Sequence, residues 1–155
     1  MPRCASFLLT CLLSVLLGAC DRQSPQPQTC APTAYDEIGP FYRPGAPARN
    51  TVGSGYVVSG QVVSARDCKP LTNTRLEFWL VNESGEYDDA HRATVFADGK
   101  GFYQFQSNRP SDYVGRLPHI HMMVTAEGHE QLITQHYPKE GEAAAVFNLV
   151  LEPRP

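Results

Sequence analysis

From Tyr56 onward, no apolar run keeps a 3.6-residue spacing over three turns. Such a chain has no stripe with which to bury a helix face, so its core must come from strands. The runs that are present have strand character. "TRLEFWLVN" alternates, with Leu76, Phe78 and Leu80 on one side and Glu77, Trp79 and Val81 on the other. "YVVSGQVVS" is rich in β-branched residues, and "RATVFADGKGFYQFQS" reads as a hairpin turning at "ADGKG". "HIHMMVTA", "EQLITQH" and "AAVFNLVLE" supply further strands. The expectation is an all-β sandwich or barrel of about seven or eight strands in one domain.

The N-terminal part reads differently. "MPR" precedes the apolar run "FLLTCLLSVLLGA", which is too short to span a bilayer comfortably. It ends in "LLGAC", the pattern of a bacterial lipoprotein signal. Residues 1–19 are therefore expected to be removed, and Cys20 to carry lipid and hold an exported protein at a membrane surface. Residues 20–33 form a tether rich in proline, glutamine and serine, and residues 34–155 the domain. Within the domain, residues 34–54 read as an extended arm, pinned by Phe41 and Tyr42. Of the five cysteines, Cys4 and Cys11 leave with the signal. Cys30 and Cys68 remain, an even pair suited to a disulfide in an oxidising compartment, the alternative being two buried thiols. The formal net charge is −3 and no basic run occurs, which argues against nucleic acid.

The stretch "RPSDYVGRLPHIH" concentrates the chemistry. His119 and His121 lie two apart at the start of a strand, so both imidazoles face the same way. Two such histidines can simply face solvent. Here, however, Arg116 and Tyr113 stand just upstream, and Tyr87 follows the strand "TRLEFWLVN". Two phenols and two imidazoles suit a hard, oxidised ion better than zinc, which more often takes cysteine, histidine or carboxylate.

At these residues the sequence resembles the intradiol ring-cleavage dioxygenases, the family of protocatechuate 3,4-dioxygenase and catechol 1,2-dioxygenase. The motifs are "GPFY", "GQVVSARDCKPL", "LEFWLVNESGEY", "DGKGFYQF", "RLPHIH" and "LITQ", running over nearly all of the predicted mature chain. The resemblance implies Fe(III) held by Tyr87, Tyr113, His119 and His121. It implies Arg116 and Gln135 as catalytic residues, with Tyr113 counted beside them because one tyrosinate leaves the metal to take a substrate proton. The implied substrates are a catechol and O2, and the product a cis,cis-muconate type. The chain departs from the larger enzymes in lacking a helical dimerisation domain and in its short "YVGRLPH" stretch. It looks like a small exported branch to which substrate specificity does not transfer.

Two other functions compete: a non-catalytic binding module on a transthyretin-like sandwich, and a zinc hydrolase built on His119 and His121. Among the remaining candidates, Asp88, Asp89 and His91 read as a solvated loop or a second metal site. His129 and His136 read as surface, Tyr103 as core and Trp79 as packing, while Tyr42 either borders the pocket or pins the arm.

Overall fold

The structure, a computed structural model, describes residues 30–113 and 115–155. The predicted signal, the expected lipidation site Cys20 and the expected tether up to residue 29 lie outside the described residues. Eight strands are described: β1 (Tyr56–Ser64), β2 (Arg75–Val81), β3 (Tyr87–Phe96), β4 (Phe102–Ser107), β5 (Ile120–Thr125), β6 (Leu132–His136), β7 (Ala144–Val146) and β8 (Leu149–Leu151). One sheet is antiparallel in the order β3-β2-β5-β6. In the other, β4 pairs antiparallel with β1, and β7 and β8 run parallel to successive halves of β1. The stretch "AAVFNLVLE" is thus two short strands broken at Phe147 and Asn148.

The alternation read from the sequence sets the core. Leu76, Phe78 and Leu80 of β2 meet Ile120, Met122 and Val124 of β5 and face Val58, Val62, Tyr103 and Phe105 of the opposite sheet. Phe78 and Phe105 stack across the sandwich with ring centroids 4.2 Å apart. Tyr103 is core as expected, and its hydroxyl donates to the Phe147 carbonyl at 2.6 Å.

The expected hairpin is not one. β3 pairs with β2 and β4 pairs with β1, so the turn around Asp98 carries the chain from one sheet to the other. The turn chemistry is as read: Asp98 accepts from the amides of Lys100 and Phe102 at 2.8 and 2.9 Å. A sandwich with two inner faces can satisfy the same alternation by arching, and periodicity alone does not distinguish the two.

The outer face of β2 is also buried. Glu77, Trp79 and Val81 are as inaccessible as the core residues between them, and Tyr42 of the arm lies against Glu77 and Trp79. The arm bonds to the β6 edge through the Asp36 amide and the Ile133 carbonyl (2.9 Å). It crosses the face and joins the β3 edge through the Arg49 amide and the Thr94 carbonyl (3.1 Å). Its start is tied by the disulfide Cys30–Cys68, with Cα atoms 5.5 Å apart and a separation of 38 residues. Closing a loop of that length restricts the unfolded chain, so replacing both cysteines by serine should cost about 3–4 kcal/mol in denaturant unfolding. A double variant with the wild-type midpoint and slope would contradict this.

Candidate active site

Because Ile120, Met122 and Val124 point into the core, His121 points outward, and His119 precedes it on the same side. Sheet register then lines up a row beneath the arm. Arg92, Trp79, His121 and Gln135 are paired in turn across β3, β2, β5 and β6, and none is more than 4% exposed. Trp79 stacks on His121 with centroids 4.9 Å apart and planes within 4°. It packs, as read from the sequence, but against a site residue.

Tyr87, at the start of β3, completes a cluster. Its Oη lies 3.1 Å from His119 Nε2 and 3.0 Å from His121 Nε2, and the two nitrogens are 3.2 Å apart. Three donor atoms this close together could face one shared ion. The nitrogens are suited to be ligands. His119 Nδ1 lies 2.7 Å from the Leu117 carbonyl, which can only accept, so Nδ1 carries the proton and Nε2 presents its lone pair. Burial, followed by the neighbouring His119 and Arg116, holds the His121 pKa down to about 3. Its Nδ1 has no hydrogen-bond partner of good geometry, and the Glu37 backbone pulls the other way without reversing the shift. Burial pushes the Tyr87 phenol up to about 12, against the pull of Arg116. In the metal-free chain that phenol keeps its proton, and a multivalent cation among the donors is what would displace it. The donor set therefore fits a hard trivalent ion.

Tyr113 lies beside the cluster. It opens a tight turn in which the Arg116 amide donates to its carbonyl at 2.8 Å, and Gly115 takes the left-handed φ of 74° that the turn requires. Its ring meets Tyr87 edge-on at 5.4 Å and Phe41 at 5.6 Å. Among the described residues, no hydrogen bond joins its hydroxyl to the three clustered donors. The same turn places Arg116. An extended approach through "LPH" would by itself point the guanidinium away from His119, three residues on. In the structure the reversal lies upstream, at Tyr113–Arg116, and Arg116 Nη2 donates to Gln135 Oε1 at 3.0 Å.

The arm closes the site. Gly39 sits against His121 with φ 68°, and a Cβ there would lie 3.1 Å from Cε1 of the imidazole, so both conformation and space call for glycine. Phe41 stacks on Tyr87 at 4.4 Å. Tyr42 pins the arm: its hydroxyl reaches the buried Glu77 carboxylate at 3.3 Å and its ring meets Trp79 edge-on. A cavity of about 300 Å³ remains, lined by Pro40, Phe41, Tyr87, Tyr113, Arg116 and His121. That is small, but within the range of ligand pockets. A larger hollow of about 680 Å³ beside Phe96 and Phe102 lies apart from this chemistry. Its charged groups are spent on the backbone, Arg49 on three carbonyls and Asp98 on two amides.

The other candidates serve structure. Asp88 pairs with His91 at 2.8 Å, and Asp89 with Arg43 and Arg92 at 3.0 and 3.3 Å. Among the described residues, no three His, Cys, Asp or Glu side chains gather to hold a metal. His129 and His136 are not surface residues but half-buried. His129 Nε2 bonds Ser64 at 2.9 Å, and His136 Nε2 bonds the Tyr56 hydroxyl at 2.8 Å. Sequence reasoning missed Gly39, Asp36 and Tyr137 as neighbours of the site. "GPFY" was the available signal for Gly39; the other two carry none.

Residues 39–150 match the dioxygenase family. Catechol 1,2-dioxygenase of Candida albicans is 28% identical over 83% of this chain and 53% of its own. Hydroxyquinol 1,2-dioxygenase of Nocardioides simplex is 31% identical over 68% of this chain and 46% of its own. The chain thus spans about half the length of the curated relatives it matches. Among solved structures, the dioxygenase domain of a dioxygenase–carbohydrate-binding fusion from Streptomyces sp. SirexAA-E superposes with a TM-score of 0.73. It is 29% identical, over 80% of this chain and all of that domain. A sandwich of this topology carrying these motifs over residues 39–150 places the chain in the intradiol ring-cleavage dioxygenase family, and the chain belongs to its catechol and hydroxyquinol 1,2-dioxygenase-like members.

Proposed function

We propose that this chain is a non-haem ferric dioxygenase. It opens a catecholic ring between its two hydroxylated carbons and inserts both atoms of O2 to give a cis,cis-muconate-type product. The observation that carries this reading is the triangle of Tyr87 Oη, His119 Nε2 and His121 Nε2, with sides of 3.0–3.2 Å, opening onto a cavity that Arg116 also lines.

Tyr87, His119, His121 and Tyr113 would hold the iron. Bound there, Fe(III) supplies the Lewis acidity and electron demand that make a catecholate reactive toward O2. The chain does the rest. The Leu117 carbonyl holds His119 in one tautomer, and Trp79 and Gly39 clamp the His121 ring from two sides. Tyr113, held on its turn beside the triangle, would as a tyrosinate take a catechol hydroxyl proton at Oη and become the neutral phenol. Arg116 presents a fixed positive charge to the oxyanion that develops on the ring, and charge placed in advance in a water-poor site lowers the barrier most. Pro40 and Phe41 on the arm form an apolar wall of the cavity. Iron analysis of the purified protein, with spectra and O2 uptake in the presence of catechol, tests the reading. Catechol binding without O2 uptake would point to a binding module, and a colourless zinc protein to a hydrolase.

The export reading belongs to the same account. Removal of residues 1–19 and lipidation of Cys20 rest on "LLGAC", and the Cys30–Cys68 disulfide suits an oxidising compartment. No helix among the described residues is long and apolar enough to cross a membrane. Cys20→Ser should give unprocessed or unanchored protein on fractionation, and unchanged membrane association would contradict the anchor.

A further inference from the structure

Arg116 sits on a turn that by itself does little to orient its side chain. Gly115 and Leu117 on either side are exposed, Leu117 at 71%. The guanidinium must therefore be held by what it touches. One contact is Gln135 Oε1 at 3.0 Å, and the other is the Tyr137 hydroxyl at 3.5 Å, the outer limit of a hydrogen bond. Both partners are fastened to the arm. Gln135 Nε2 donates to the Glu37 carbonyl at 2.7 Å, which fixes the amide so that Oε1 faces Arg116. The Tyr137 hydroxyl donates to Asp36 Oδ2 at 2.9 Å and lies 3.1 Å from Gln135 Oε1. Asp36 Oδ1 in turn accepts from the Glu37 amide at 2.7 Å.

We infer that Asp36 and Tyr137 are positioning residues for Arg116, a relay that couples the N-terminal arm to the guanidinium at the pocket wall; this rests on the function proposed above. The chemistry of the three groups explains the order. A carboxylate beside an arginine would ordinarily pair with it and spend its charge. The phenol stands between them, takes the carboxylate with its proton and turns its lone pair toward Nη2. Asp36 thus steadies the cation without capturing it, and Arg116 keeps its charge for the cavity. Tyr137 also lies beside His119, with centroids 6.1 Å apart, but is not among the donors of the triangle.

The test begins with the metal-free chain. Relaxation of the Arg116 Nε–H group, read by ¹⁵N–¹H NMR, reports how firmly the guanidinium is held. Tyr137→Phe should lower its order parameter toward that of a free side chain. Asp36→Ala should do the same, and Asp36→Asn, which retains an acceptor for the phenol, should restore part of the order. In the iron-loaded protein, Tyr137→Phe should lower kcat for catechol about tenfold, the scale of a modest misplacement, with KM little changed. The same change in an Arg116→Ala background should cost almost nothing, because the group it positions is gone. An Arg116 guanidinium as ordered in Tyr137→Phe as in wild type overturns the inference, as does an equal loss of turnover in both backgrounds. Wild-type protein that binds no iron and consumes no O2 would instead overturn the proposed function, while the relaxation measurement would still decide this one.

Discussion

His121→Ala should yield a folded protein that no longer holds iron and has lost its visible absorption. The imidazole supplies one corner of the donor triangle, and neither of the other two can span the gap it leaves, since Tyr87 is fixed at the start of β3 and His119 by its bond to the Leu117 carbonyl. Losing a supporting partner behind a metal ligand already costs roughly 10–100-fold in affinity, so losing the ligand itself should cost more. The same ring fills the space between Trp79 and Gly39, and its removal should also lower stability by about 1–3 kcal/mol, the usual cost of a buried truncation. Elemental analysis and a melting curve separate the two effects. A variant that retains wild-type iron and colour would remove His121 from the ligand set.

Arg116→Ala should behave in the opposite way. The donors are untouched, so iron, colour and the spectral change on adding catechol should all persist. Turnover should fall by on the order of a hundredfold, the typical cost of deleting one preorganised charge stabiliser. Arg116→Lys should rescue little. A point-charge ammonium on a flexible stem cannot reproduce the planar fork that meets Gln135 Oε1 and the cavity together. Near-normal O2 uptake by the alanine variant would reduce Arg116 to a structural residue at the rim.

The sheet that carries the site was legible because its information is local. Alternation put Leu76, Phe78 and Leu80 into the core, and the two-residue spacing put His119 and His121 on one face. What was not legible depends on segments far apart in the chain. Nothing around Phe96 and Phe102 distinguishes a hairpin from an arch, since both satisfy the same inward and outward pattern. His136 looked like a surface residue because its partner, Tyr56, is 80 positions away. Trp79 showed its packing character, but its stacking on His121 follows only from the β2–β5 register. Asp36 and Tyr137 carry no motif at all. Their place beside Arg116 comes from the arm crossing the sheet, and composition showed only that the arm is extended.

The central claim is that two imidazoles and the tyrosines beside them hold ferric iron for ring cleavage. Metal content and the visible spectrum of the purified protein in air, recorded before and after catechol is added, test it most directly. The account predicts about one iron per chain, a broad tyrosinate-to-iron charge-transfer band giving a red to purple colour, and a shift of that band with catechol, accompanied by O2 uptake. A colourless protein that carries zinc or no metal after iron supplementation, and leaves catechol and O2 unchanged, would contradict it.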